Sequence, residues 1–290
     1  MGVPHLGVTS RMSKLKNQAR SIGDRLSGIS KKSGIPYRLI LTEFLLERLA
    51  VRLVTDKDLS QRLVFKGGYV SLRVYNSPRY TIDLDALLRA GPLGEIIEKA
   101  KNAAEMDVGD GVWYRSEKSF TLETQGENGG HRIIFRCGLG EILPNLKRAQ
   151  VVNLDIGTGD PVVPEQRDAE TPFLLGGGTL SWQVYPVETT VAEKLHALIV
   201  RGSQSSRAKD IFDLVFLLPK CNDAYLRKAL FETFRYRGEP LPSDITDYVK
   251  KIDWGLLEKG WKSAVGEIPG ALTFAETYKS LIKLLASSKL

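Results

Sequence analysis

Apolar positions change their spacing along the chain, and the changes divide it into blocks. Residues 12–31 read as a polar, basic helix. Leu39, Leu41, Phe44, Leu45, Leu49 and Leu53 then recur near the helical period, after a Pro36 suited to a helix start. A short strand, RLVFK, runs into Gly67-Gly68, which opens a short helix reaching Tyr75. NSP makes a turn, and YTIDLDALL alternates as a strand. GPLGEIIEKAKNAAEM reads as another helix. Four strand-like stretches follow: GVWYRSEKSFTLE, HRIIFRCGL, QVVNLDIGTG and LSWQVYP. Gly176-Gly177-Gly178, lying between strands with no helical pattern after it, reads as a hairpin turn. Beyond Pro186 the pattern is almost wholly helical, over 187–201, 206–218, 222–236, 244–264 and 273–287. The blocks predict an α/β sheet domain over 1–186 and a helical domain over 187–290.

Composition narrows the class. At 42% hydrophobic and 26% charged residues, the 290-residue chain matches an ordinary globular protein. No apolar run approaches the ~20 residues that span a bilayer, so no membrane partner is expected. The N-terminal stretch lacks the apolar segment of a secretory signal, and Cys137 and Cys221 are too few for a disulfide framework or a cysteine zinc site. A reducing cytoplasm is the expected location. The net charge is +7, and Arg11, Lys14, Lys16, Arg20, Arg25, Lys31 and Lys32 stand against Asp24 alone in the first 35 residues. A basic end of this kind suits contact with a phosphate backbone; a solvated helix that aids solubility is the plainer alternative.

Asp83 and Asp85 bear on chemistry. At i and i+2 in a strand they share a face, with alpha carbons about 6.6 Å apart, while Leu84 points the other way. Two ionised carboxylates so close repel, and a divalent cation resolves the conflict. Asp155, in VVNLDIGTGDP, offers a third carboxylate in a strand setting, completing the donor set for in-line phosphoryl or nucleotidyl transfer. Gly67 and Gly68 sit between strand and helix, where bare backbone N–H groups can approach a triphosphate. The plainer alternatives are a solvent-facing pair on an edge strand and an ordinary tight turn. The three histidines form no cluster in sequence.

Lys66-Gly67-Gly68 followed by Arg79-x-Thr81-x-Asp83-x-Asp85 resembles the first motif of the AbiEii/AbiGii toxin family, within the DNA polymerase β-like nucleotidyltransferase superfamily. The resemblance continues through LDIGTGDP and VETTVAEKLHALIVRGSQSSRAKDIFDLVFL, together spanning roughly residues 35–218. It implies an α+β fold, with a polymerase β-like mixed sheet flanked by helices and a C-terminal helical bundle. It also implies an NTP substrate, Mg²⁺ or Mn²⁺ held by Asp83, Asp85 and Asp155, and toxins of type IV toxin–antitoxin or phage-abortive systems. The implied activity is addition of nucleotides to the 3′ acceptor end of tRNA, with a cognate antitoxin as possible partner. Transfer to a protein hydroxyl, or nucleotide binding without turnover, stays open. Tyr69 departs from the small hydroxyl residue common after the glycine pair, and it reads most plainly as packing.

The second block carries Lys194, which the resemblance casts as a ligand of the leaving phosphates; a snorkelling surface lysine paired with Glu193 or Glu188 is the alternative. Asp210 and Asp213 share a helix face and are expected to orient Lys194 or Arg207 rather than bind metal. Arg207, Lys209 and Asp210 complete the implied nucleotide-binding set with Lys66, Gly67, Gly68, Arg79 and Thr81. Arg79 can contact phosphate or brace Asp83.

Overall fold

The computed structural model describes residues 6–122, 129–202, 208–266, 268 and 270–288, with side chains from Ser13 onward. The chain divides into two compact units. The first comprises residues 1–69, 80–158 and 169–182, and the second residues 70–79, 159–168 and 183–290. The last passage from the first unit to the second falls between residues 182 and 183.

In the first unit, helix α1 (Leu6–Ser33) buries Ile22 and Leu26, alone among its described side chains. Helix α2 (Tyr37–Thr55) is the apolar counterpart, with Leu45, Leu46, Leu49, Ala50 and Leu53 wholly inaccessible. A short helix α3 (Lys57–Arg62) was not expected, because Leu59 is its one buried side chain. It forms because Asp56 Oδ1 accepts the N–H groups of Asp58 and Leu59 at 2.9 and 3.0 Å. Strand β1 (Leu63–Lys66), helix α4 (Gly67–Arg73), strand β2 (Asp83–Leu88) and helix α5 (Leu93–Glu105) follow.

Strands β3 (Val112–Leu122), β4 (Gly130–Leu139), β5 (Gln150–Thr158), β6 (Arg167–Pro172) and β7 (Thr179–Val184) complete a seven-stranded mixed sheet of order β3-β4-β5-β2-β1-β7-β6. β2 runs parallel to β5; β1–β2, β4–β5 and β3–β4 are antiparallel. β6 escapes a hydrophobicity pattern because it is a polar edge strand that buries only Ala169 and Thr171. Gly176, Gly177 and Gly178 connect it to β7, all with positive φ, as a hairpin turn requires.

One sheet face is apolar and covered. Leu84, Ala86, Ile133, Leu154 and Ile156 lie on it, inaccessible or nearly so, and α2 and α5 pack on the strands that carry them. Tyr114 is seated there, donating its hydroxyl to the Leu45 carbonyl of α2. Arg52, a charged group in this layer, is 2% exposed and well paired: it gives both Nη atoms to Asp110, with a further bond to the Val112 carbonyl.

The second unit is helical: α6 (Val187–Arg201), α7 (Ala208–Leu217), α8 (Asp223–Tyr236), α9 (Ile245–Lys250), α10 (Gly255–Val265) and α11 (Phe274–Ser287). α6 packs on α8, and α7 on α10 and α11. The single helix expected over 244–264 is two. Its break falls at Asp253, whose Oδ1 takes the Gly255 N–H at 3.0 Å and opens a new helix there. α11 starts from a capping box between Thr273 and Glu276.

Leu49 lies at the centre of the α2 face, so Leu49→Ala is expected to cost about 2–5 kcal/mol. Urea unfolding of the two proteins measures it; a cost near zero would mean that α2 does not anchor the sheet.

Candidate active site

The sheet face opposite α2 is assembled by register. Lys66 of β1 stands across from Asp85 of β2, Asp85 from Asp155 of β5, and Asp155 from Arg132 of β4. Directly opposed residues in neighbouring strands point to the same side, so four charged side chains from four strands form one transverse row. Asp83, two residues before Asp85, shares the face, with Asn153 opposite it. The structure therefore brings Asp83, Asp85, Asp155 and Lys66 together on one surface.

The row has its own bonds. Arg132 grips Asp155 with both arms, Nε to Oδ1 at 2.7 Å and Nη2 to Oδ2 at 2.6 Å, and its Nη2 lies 3.5 Å from Asp83 Oδ1. The Asp155 side chain is 5% exposed, against 25% for Asp83 and 29% for Arg132. The hydrogen bonds to Asp155, with the nearby charges of Asp83 and Asp85, push the guanidinium pKa up. Asn153 donates Nδ2 to Asp83 Oδ1 at 2.8 Å, while its buried Oδ1 has no partner among the described residues.

Gly67 is required by Asp85. Its φ is +76°, and a Cβ there would lie 1.9 Å from Asp85 Oδ2. α4 has only seven residues, so its aligned dipole is small and close backbone approach is the glycine's main contribution. Thr81 Oγ1 accepts the Asp83 N–H at 3.2 Å and pins the entry to β2. Tyr69 is inaccessible, packed edge-on against Trp182 at 5.8 Å, with its hydroxyl directed at the Glu43 carbonyl.

In the second unit, Arg79, Lys194, Asp210 and Asp213 form a separate buried network. Arg79 Nε and Nη2 each reach an Asp213 oxygen at 2.7 Å. Lys194 Nζ donates to Asp210 Oδ1 at 2.8 Å and Asp213 Oδ2 at 2.7 Å. Burial works against the Asp213 charge, but Lys194 and Arg79 prevail and hold its pKa down to about 2. Lys194 is thus neither snorkelling nor paired with Glu193 or Glu188; two aspartates from α7 enclose it. Lys209 is exposed on α7, and Arg207 lies outside the described residues. His196 packs against the Phe234 ring at 4.8 Å, and Arg237 Nη1 lies 3.2 Å from its Nδ1.

Arg132 and Asn153 did not emerge from the sequence. Asn153 had a signal, since it precedes Asp155 by two residues and so shares its face. Arg132 had none, because HRIIFRCGL reads as a strand whatever its partner.

Among the described residues no group of three or more His, Cys, Asp or Glu side chains is arranged to hold a metal ion. The donor chemistry still suits a hard cation: two carboxylates at strand spacing, a partnerless amide oxygen, and room at Asp85 that a Cβ would fill. Those residues fit a cation held by Asp83 and Asp85 and completed by substrate oxygens. A preformed three-carboxylate cage does not fit, since Arg132 already takes both Asp155 oxygens.

A mixed sheet presenting an Asp-x-Asp strand beside a third aspartate, next to a strand–glycine–helix turn, has the layout of a nucleotidyltransferase. The chain belongs to the family described as nucleotidyl transferase AbiEii toxin, Type IV TA system, whose model matches residues 48–277. It is a nucleotidyltransferase of that toxin family. A crystal structure of a Helicobacter pylori protein assigned as a nucleotidyltransferase is similar in fold, with TM-score 0.50 and 15% identity, covering 88% of this chain and 96% of that one. JHP933 from Helicobacter pylori gives TM-score 0.49 and 15% identity over 88% and 93% of the two chains. No match was found among the curated proteins.

Asp213 generates a sharp expectation. Its folded-state pKa lies below its unfolded value, so its stabilisation is fully present above about pH 4 and is lost as pH falls through about 2. Asp213→Ala leaves Lys194 and Arg79 buried without their shared anion and is expected to cost about 3–5 kcal/mol at pH 7. Urea titrations at pH 7 and in acid read both effects; the gap between the two proteins should narrow toward pH 2.

Proposed function

We propose that the protein transfers nucleoside monophosphate from an NTP to the 3′ acceptor end of a tRNA, with Asp83 and Asp85 as ligands of Mg²⁺ or Mn²⁺. The observation that carries this reading is the register Asp85↔Asp155, which sets the third aspartate beside the pair on the half-buried sheet face. A divalent cation, when bound, supplies charge neutralisation at the triphosphate. Gly67 and Gly68 let the backbone approach the nucleotide closely, and Lys66 offers a positive charge on the same row. Asp155, held in place by Arg132 until metal and nucleotide arrive, then has lone pairs with which to accept the hydrogen bond of the attacking hydroxyl. That hydroxyl attacks the α-phosphorus, and pyrophosphate leaves.

Lys194 and Asp210 take a bracing part in this reading. The ammonium between Asp210 and Asp213 would have to abandon two short ion pairs in a buried setting to reach a phosphate. Arg79, clamped to Asp213, anchors the segment that leads into Thr81 and β2. The acceptor is read from charge: Lys14, Lys16, Arg20, Arg25, Lys31 and Lys32 are all exposed on α1. Steep weakening of tRNA binding with salt accompanies such a surface. An intracellular setting and a cognate antitoxin belong to the same proposal.

Incubation with Mg²⁺, each labelled NTP and total tRNA, with protein and RNA resolved afterwards, tests it. Label should appear on tRNA. Asp83→Asn and Asp85→Asn should each lower transfer by about 10³-fold or more while melting within a few degrees of the parent. Label confined to protein would redirect the reading to a hydroxyl of a polypeptide. Undiminished transfer by either variant would remove the mechanism.

A further inference from the structure

We infer that Arg132 is the resident counter-cation of the carboxylate row and competes with the divalent cation for it, so that metal entry requires the guanidinium to give way. The inference rests on the metal-dependent reading above and deepens it. Three observations carry it. First, Arg132 stands directly across from Asp155 in the β4–β5 register, so its place on the face is fixed by the sheet rather than by a mobile loop. Second, it engages both Asp155 oxygens and lies 3.5 Å from Asp83, so one guanidinium serves carboxylates on two strands. Third, its side chain is 29% exposed whereas the Asp155 side chain is 5% exposed, so the cation has access to solvent and the anion does not.

The chemistry follows from charge. Asp155 is too buried to be left without a positive partner, and in this structure Arg132 supplies it. A guanidinium and a divalent cation cannot both sit against the same pair of oxygens without strong repulsion. A planar fork on a flexible stem can swing from a carboxylate to a phosphate with its hydrogen bonds re-formed, because both anions accept it in the same two-point way. Nucleotide with metal therefore offers Arg132 a new anion at the moment the old one is taken. Metal alone does not, so the bare cation should bind weakly and its affinity should rise when triphosphate is present.

Arg132→Gln removes the charge while leaving an amide that can still donate to Asp155. Mn²⁺ binding without nucleotide, read from the electron paramagnetic resonance signal of free hexaaqua Mn²⁺, should tighten at least tenfold in the variant. Arg132→Lys, which keeps the charge, should stay within about threefold of the parent. Equal or weaker Mn²⁺ binding by a folded Arg132→Gln protein would overturn the inference and leave Arg132 as a brace for Asp155. The wild-type protein gives a second measurement that does not depend on the Gln variant folding. The Arg132 Nε–H resonance, identified by its loss in Arg132→Lys, should move when Mg²⁺ and a non-hydrolysable NTP are added; a resonance unmoved at saturation would also overturn the inference. Should the wild-type protein bind no Mn²⁺ even with NTP, the metal-dependent reading falls and this inference with it. Normal wild-type binding with no effect at Arg132 sinks only the inference.

Discussion

The pairing of β2 with β5 is the constraint on which the charged face of the sheet depends. Its parallel register sets Asp83 against Asn153, Leu84 against Leu154 and Asp85 against Asp155, so polar residues oppose polar and apolar oppose apolar. Because side chains alternate with period two, a slip of one residue would turn the aspartates of one strand into the layer beneath α2 and α5. Burying unpaired carboxylates there costs far more than any single contact on the face returns. Hydrophobic burial of Leu84, Ala86, Leu154 and Ile156 thus fixes where the acids go. The core specifies the site without touching it.

The same logic runs through the neighbouring strands. Lys66 and Arg132 flank the acidic centre because β1 and β4 pair on either side of it, giving a row that reads plus, minus, minus, plus. Gly67 then turns the chain immediately beyond Lys66, with a backbone conformation that most residues avoid and a missing Cβ where Asp85 lies. A side chain at that point would have to displace the carboxylate it faces. One glycine therefore couples the turn after β1 to the placement of the central acid in β2.

How much of this the sequence discloses depends on the range of the interaction. The shared side of Asp83 and Asp85 is legible because two-residue spacing in a strand settles it locally, and Asp56 as a helix cap was equally local though passed over. The seventy-residue separation that brings Asn153 onto Asp83 is different: strand partners and register come from packing of the whole sheet, which no window of sequence states. Arg132 belongs to that second kind, whereas the pairing of Lys194 with Asp210 and Asp213 was anticipated from the helix spacing of the two aspartates. Family resemblance reached the right fold by another route, through motifs whose spacing preserves those long-range pairings. The break within 244–264 was visible in the Ile-Asp-Trp-Gly stretch, where apolar periodicity outweighed the turn residues.

Charge accounting separates the two polar clusters by kind. In the second unit Arg79 and Lys194 balance Asp210 and Asp213 one for one, and Asp213 is fully buried, so these four side chains are neutral as a set. A neutral set of buried ion pairs is suited to fixing chain segments. On the sheet face Lys66 and Arg132 oppose Asp83, Asp85 and Asp155, leaving one negative charge in excess, with part of Asp83 and Arg132 open to water. Among these five side chains the excess is negative, which favours further positive charge on the face. The difference in balance is what separates a face suited to an incoming ligand from a set of ion pairs suited to holding Arg79, α6 and α7 in place.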